Sequence, residues 1–300
     1  MSAWGQAPRQ HSSSYRPEVD GLDASVPYEA EVEQWHADRD ARLRSPDGWL
    51  ALVGLHWLTP GEHEFGQHPS NAIRLSGRGV PPLAGHMLVN DDGTVRVRPH
   101  RDAPLTHAGH PITEELELED DLGGDPTSVE LGSLRFHLIR RGARVGLRVR
   151  DAESSALQSF QGVPHFPVDP GWRLVAHFEP ADPTHTIEVP DVLGDVTVDH
   201  FPGWVEFTVD GQPQGLAALK GDEDGSLWLI FGDPTNGSTT CAAGRFLYTE
   251  PPAADGTVVV DFNLAYNPPC VFSPYATCPL PPAGNRLTVP IPAGEMLPKP

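Results

Sequence analysis

Cysteine is scarce: the 300 residues hold three, Cys241, Cys270 and Cys278. An odd, small number does not read as the disulfide framework of a secreted domain, and it fits a cytoplasmic protein. Basic residues are scarce too. The 21 Lys and Arg face 41 Asp and Glu, leaving a formal net charge of -20. A phosphate backbone or an anionic bilayer would be repelled at long range, which argues against nucleic acid and membrane as partners. No apolar stretch is long enough to span a bilayer, and residues 1–27 lack the apolar central run of a signal peptide. Also absent are a Gly-x-Ser-x-Gly elbow, a phosphate-cradling glycine loop, a dinucleotide fingerprint and a His-Glu-x-x-His pair. The common hydrolase, nucleotide and zinc-protease readings therefore have no motif behind them, and no cofactor is indicated.

What is abundant is punctuation. Thirty-three prolines and 30 glycines interrupt helices throughout, so a mainly β chain is expected. One helix is expected from Tyr28 to Arg44, where Val32, Trp35 and Leu43 share a stripe among charged residues. The apolar run 48–58 then reads as a buried strand or turn packed on that helix. Short alternating segments from Glu62 to Arg150 predict a β-sandwich, with a hairpin connection at 90–93. Residues 151–170 read as a connector with a helical turn at 152–160. Strands resume over 172–179, 184–189, 196–199, 205–209, 214–220 and 227–231, and Asp210-Gly211 is a strong hairpin signal. Further strands are expected at 244–248, 257–262 and 286–291. The expected organisation is a disordered tail (1–27), a helix plus β-sandwich domain (28–150), a connector (151–170) and an antiparallel β-barrel-like domain (171–296). Long loops inside compact domains are often functional, which directs attention to 263–285.

Two segments of that last domain carry a specific pattern: FGDPTNGSTTCAAGRFLY over 231–248 and VDFNLAYNPPCVFSPYATCPLPPAGNRL over 260–287. Together with DGWLALVGLHWL (47–58) and GVPHFPVDPGWR (162–173), they resemble the bacterial family known as domain of unknown function 1684, over nearly the whole chain after residue 28. The resemblance implies no particular activity. It has one departure, Cys241 where the family carries Tyr, which weakens any essential role for that thiol. A second similarity, to the forkhead-associated sandwich, rests on GEHEFG (61–66), PSNAIRL (69–75) and LGSLRF (131–136). Gln67 stands where that family places its phosphate-binding Arg, and the Ser-x-x-His pattern near His86 is missing. The resemblance thus implies the fold without phosphothreonine recognition.

Several residues could carry chemistry. Arg245 and Arg286, each opening an expected strand beside the 263–285 loop, would clamp a carboxylate or phosphate if they point beneath it. The competing reading is an ion pair with Asp233 or Asp261 that ties the loop down. Tyr266, Asn267, Tyr275 and Asn285 would offer polar tips to a small ligand, or serve only to satisfy backbone groups. Cys270 and Cys278 would be buried structural thiols, a disulfide or redox pair, or metal ligands. His165 and Asp169 form the one suggestive acid-base pairing, whereas His56, within an apolar run, reads as a core histidine. The leading expectation is a module that binds a small polar or anionic molecule beneath the loop. The alternatives are a hydrolase using His165 and Asp169 or the thiol pair, and a structural or protein-interaction module.

Overall fold

The computed structural model describes residues 27–221 and 225–298. The expected tail thus lies outside the described residues, except for residue 27. The chain is mainly β, and it forms two compact units: residues 43–160, and residues 27–42 together with 161–298. No helix among the described residues is long and apolar enough to cross a membrane.

The first unit contains β1 (Leu52–Leu58), β2 (Gly61–Gly66), β3 (Ile73–Arg74), β4 (Gly85–Val89), β5 (Val95–Pro99), β6 (Leu105–His107), β7 (His110–Pro111), β8 (Leu116–Leu118), β9 (Val129–Leu131), β10 (Leu134–Arg141) and β11 (Arg144–Asp151). They form a six-stranded sheet, ordered β1-β11-β10-β9-β6-β7, and a five-stranded sheet, ordered β3-β2-β4-β5-β8. The alternation read from the sequence puts Phe65, Met87 and Val97 of one sheet into the same core as Leu131, Phe136 and Leu147 of the other. This is the expected sandwich. Phe65 and Phe136 meet edge to face at 5.9 Å. A short helix at Ser155–Ser159 is capped by the Ser154 hydroxyl, which accepts the Leu157 N–H at 3.1 Å.

The second unit begins with α1 (Tyr28–Leu43). The sequence reading grouped this helix with the N-terminal sandwich. Its side chains instead hydrogen-bond to Asp261, Asn263, Asn267 and Glu295, so it is an outlying piece of the C-terminal unit. The strands are β12 (Arg173–Pro180), β13 (Thr186–Pro190), β14 (Val196–His200), β15 (Gly203–Val209), β16 (Gln212–Lys220), β17 (Leu227–Phe231), β18 (Arg245–Thr249) and β19 (Thr257–Asp261). Six of them make one curved, half-barrel sheet in the order β18-β17-β16-β15-β12-β19, and β13 and β14 form a separate ribbon. The Asp210-Gly211 hairpin takes positive φ at both residues, 48° and 76°, as a primed turn requires.

The expected strand at 286–291 does not form. Leu287, Val289 and Ile291 alternate into the core as a strand would, but only an isolated bridge, Gly232 to Arg286, pairs the segment with a neighbour. Pro290 and Pro292 remove backbone donors, so this stretch fills the half-barrel with side chains and cannot extend its ladder.

Candidate functional site

The expected ligand residues do not form a pocket. Arg245 is completely buried, and its guanidinium donates to Asp233 Oδ2 at 2.8 Å, to the Ile291 carbonyl at 2.8 Å and to the Ala293 carbonyl. Burial pulls its pKa below the usual value, while the Asp233 carboxylate opposes that loss. The arrangement ties β18 to the turn after β17 and to residues 291–293, not to the 263–285 loop, and it commits the guanidinium to the protein. Arg286 turns outward into solvent. Asn285 is also fully buried. Its carboxamide donates to the Ala217 and Ile230 carbonyls at 2.8 and 2.9 Å and accepts the Ala217 N–H at 2.8 Å. Because β16 and β17 pair only at Leu219/Trp228 and Lys220/Leu227, this side chain stands in for the missing rungs where they diverge. Asn267 donates its backbone N–H to Glu295 at 2.7 Å and its side-chain amide to the Met296 carbonyl at 2.9 Å. Tyr275 is exposed at the loop surface.

The loop itself is packed. Two 3-10 turns, Phe262–Leu264 and Pro269–Val271, order it, and Ser273, Ala276, Thr277 and Cys278 are buried within it. Two open hollows among the described residues lie elsewhere. One, of about 390 Å³, runs along β15 and β16 and is lined by Glu206, Thr208 and Gln214; the other, of about 270 Å³, sits beside the β13–β14 ribbon.

Nor is an acid-base dyad assembled. Asp169 caps a 3-10 turn by accepting the Gly171 N–H at 2.8 Å, and no hydrogen bond or ion pair joins it to His165. His165 instead stacks flat on His36 of α1, with ring centroids 3.9 Å apart and planes 9° apart. Cys270 and Cys278 do come together, and Cys241 joins them through a thiol hydrogen bond to Cys270. All three are unbridged. Among the described residues no group of three His, Cys, Asp or Glu side chains is arranged to hold a metal ion.

The chemically dense region lies where α1 docks. Tyr28 donates its hydroxyl to Asp261 at 2.8 Å and accepts from Asn263 at 2.9 Å, and burial with the neighbouring carboxylate raises its pKa. His36 Nε2–H donates to the Asn263 carbonyl at 3.1 Å; burial, reinforced by His165, lowers the ring to about 4 and keeps it neutral. One turn on, Arg39 Nε donates to the buried Glu295 at 2.9 Å and Nη2 to the Asn267 carbonyl at 3.1 Å. The Arg39 guanidinium lies 4.6 Å over the Tyr266 ring and 5.7 Å from that of Phe272.

Tyr266 ends a row of rings. Trp228 and Tyr248 are direct partners across β17 and β18, stacked at 5.9 Å with planes 10° apart, and Tyr248 lies 6.4 Å from Tyr266 with planes 8° apart. Paired backbone hydrogen bonds of 2.9 Å between Phe246 and Tyr266 hold the last ring in register. Trp35 of α1 leans on Tyr266 at 6.2 Å. Leu229 and Leu247, their neighbours in sequence, point into the core, so the ladder occupies the outer face of the half-barrel. Tyr248 remains 42% exposed, and the Trp228 indole N–H is buried with no hydrogen-bond partner among the described residues. Of the expected site residues, only Tyr266 belongs to this ladder. The alternation in LWLIF and RFLY already placed Trp228 and Tyr248 opposite the core; Arg39 and Trp35, about 190 residues upstream of Trp228, carried no local signal.

The fold and this face define a mainly β protein with an aromatic ladder beside a buried ion pair. The family described as Protein of unknown function (DUF1684) matches residues 158–296, and the chain belongs to that family. No curated protein matches the chain. A solved structure, the solution NMR structure of an uncharacterized protein from Haloarcula marismortui, is 31% identical over 46% of this chain and 78% of that one, with a TM-score of 0.39.

Proposed function

We propose that the C-terminal unit binds a small polar molecule carrying a flat ring, on the outer face of β17 and β18 and not beneath the 263–285 loop. The observation that carries this reading is the solvent exposure of Tyr248 within an ordered row of rings, Trp228, Tyr248 and Tyr266. A ring pair contributes about 0.5–1.5 kcal/mol beyond the area it buries, and rigid rings lose little entropy on binding. At the far end of the row the Arg39 guanidinium, held by Glu295, lies 4.6 Å over the Tyr266 ring and fixes its orientation. The strongly negative net charge makes nucleic acid and anionic bilayers poor partners, and the three unbridged thiols support a cytoplasmic setting.

The test is an NMR titration of the wild-type chain with a panel of free nucleosides and monosaccharides, following the indole N–H resonances. Saturable movement of the Trp228 resonance, lost in Tyr248→Ala, is expected. If no member of the panel moves that resonance at millimolar concentration, the ladder is a structural brace and the reading fails.

A further inference from the structure

The thiols form a connected group that the ladder does not use. Cys241 follows β17 in the turn leading to β18, Cys270 sits in the 3-10 turn Pro269–Val271, and Cys278 lies further along the same proline-rich loop. The backbone N–H of Cys270 donates to Cys278 Sγ at 3.2 Å. Side-chain hydrogen bonds also join the Cys270 thiol to Cys278 and to Cys241, so Cys270 stands between the other two sulfurs. Cys241 and Cys278 are buried, while Cys270 between them is half-buried. Pro268, Pro269, Pro279 and Pro281 limit how far the two ends of the loop can separate.

We propose that Cys270 and Cys278 are a reversible dithiol site that a small hydroperoxide oxidises to a disulfide. The Cys270 sulfur attacks one peroxide oxygen, the O–O bond breaks, and the second oxygen leaves with a proton as water or an alcohol, giving Cys270 sulfenic acid. The Cys278 sulfur then attacks the Cys270 sulfur; the S–S bond forms and hydroxide departs to take up the Cys278 proton as water. Two thiols supply the two electrons that reduce the peroxide. Cys241 stays a thiol throughout and acts as a positioning residue through its hydrogen bond to Cys270. The resting pair is guarded: the hydrogen bond to Cys241 lowers Cys270, but the hydrogen bond to Cys278 and burial together outweigh it and push the thiol up to about 12. Oxidation is accordingly slow at neutral pH and accelerates as pH rises.

The experiment treats the purified full-length chain with hydrogen peroxide, counts free thiols and maps the linked peptides without reduction. The expected result is a fall from three thiols to one, a peptide pair joining Cys270 to Cys278, recovery of all three thiols with dithiothreitol and a rate that increases between neutral and alkaline pH. In Cys278→Ser, the Cys270 sulfenic acid should persist and be trapped by dimedone. Three unreacted thiols, a Cys241–Cys270 link, or direct passage of Cys270 to an irreversible sulfinic acid would each overturn the proposal. None of these readouts depends on ligand binding at the ladder.

Discussion

The two units differ in what their ion pairs hold together. In the sandwich, exposed charged pairs predominate, Arg78 with Glu153, Arg96 with Glu117 at 2.8 Å and Arg98 with Glu62, while Arg141 with Asp121 at 2.9 Å is buried. Such exposed pairs contribute little, and the unit rests on its apolar core. In the C-terminal unit the polar pairs are inside. Arg245 with Asp233 is wholly buried, Arg39 with Glu295 nearly so, Asn285 bonds backbone groups where β16 and β17 diverge, and Asn263 bonds the Asp169 backbone. The difference follows from proline. A segment that cannot donate along a ladder needs side chains to satisfy the carbonyls and N–H groups it leaves open.

That contrast is breakable. Arg245→Met strands the Asp233 carboxylate in the core and should remove about 3–5 kcal/mol of unfolding free energy in urea melts. Arg96→Ala on the sandwich should leave the urea midpoint where it is, because Glu117 remains solvated. Asn285→Ala leaves the Ala217 N–H and two carbonyls unpaired, an expected loss of about 3 kcal/mol that Asn285→Asp should only partly recover.

Acid should separate the units as well. His36 in the C-terminal unit is lowered to about 4, chiefly by burial, and His137 in the sandwich to about 2, by burial and then by Arg150, Arg148, Arg141 and Arg135. Both are bases whose folded pKa lies below the unfolded value of about 6.5, so below that pH the unfolded chain binds more protons. Their favourable contribution is complete above about pH 6.5 and is lost as pH falls, the His36 part by about pH 4 and the His137 part continuing toward 2. Melting the wild type against His36→Gln across this range should show a shallower decline in the variant between 6.5 and 4, and an unchanged decline below it. Tyr248→Ala should cost below about 1 kcal/mol of stability because the ring is 42% exposed, even though the same change should abolish ligand-induced shifts at Trp228.

Much of the fold was readable one segment at a time. Alternation located the strands, Asp210-Gly211 marked its hairpin, and the Val32/Trp35/Leu43 stripe placed a helix that runs from Tyr28 to Leu43. Reading by neighbourhood failed where contacts are long-range. His165 and Asp169 are four residues apart and share no bond, whereas His36 and His165, 129 positions apart, lie face to face. The same rule misassigned α1, whose anchors Asp261, Asn263 and Glu295 lie more than 200 residues downstream. The 286–291 segment kept the alternation of a strand but lacked the donors to pair as one.

By itself, then, the sequence determined the β character, the turn positions, the acidity and the proline-stiffened loop, because each depends on dihedral preferences, periodicity or charge within a few residues. Only the tertiary structure decided that Arg245 is spent on Asp233, that the rings of β17, β18 and Tyr266 align outside the half-barrel, and that three separate cysteines meet. Those outcomes depend on which distant groups are brought within a few ångströms, and local propensity does not encode that distance.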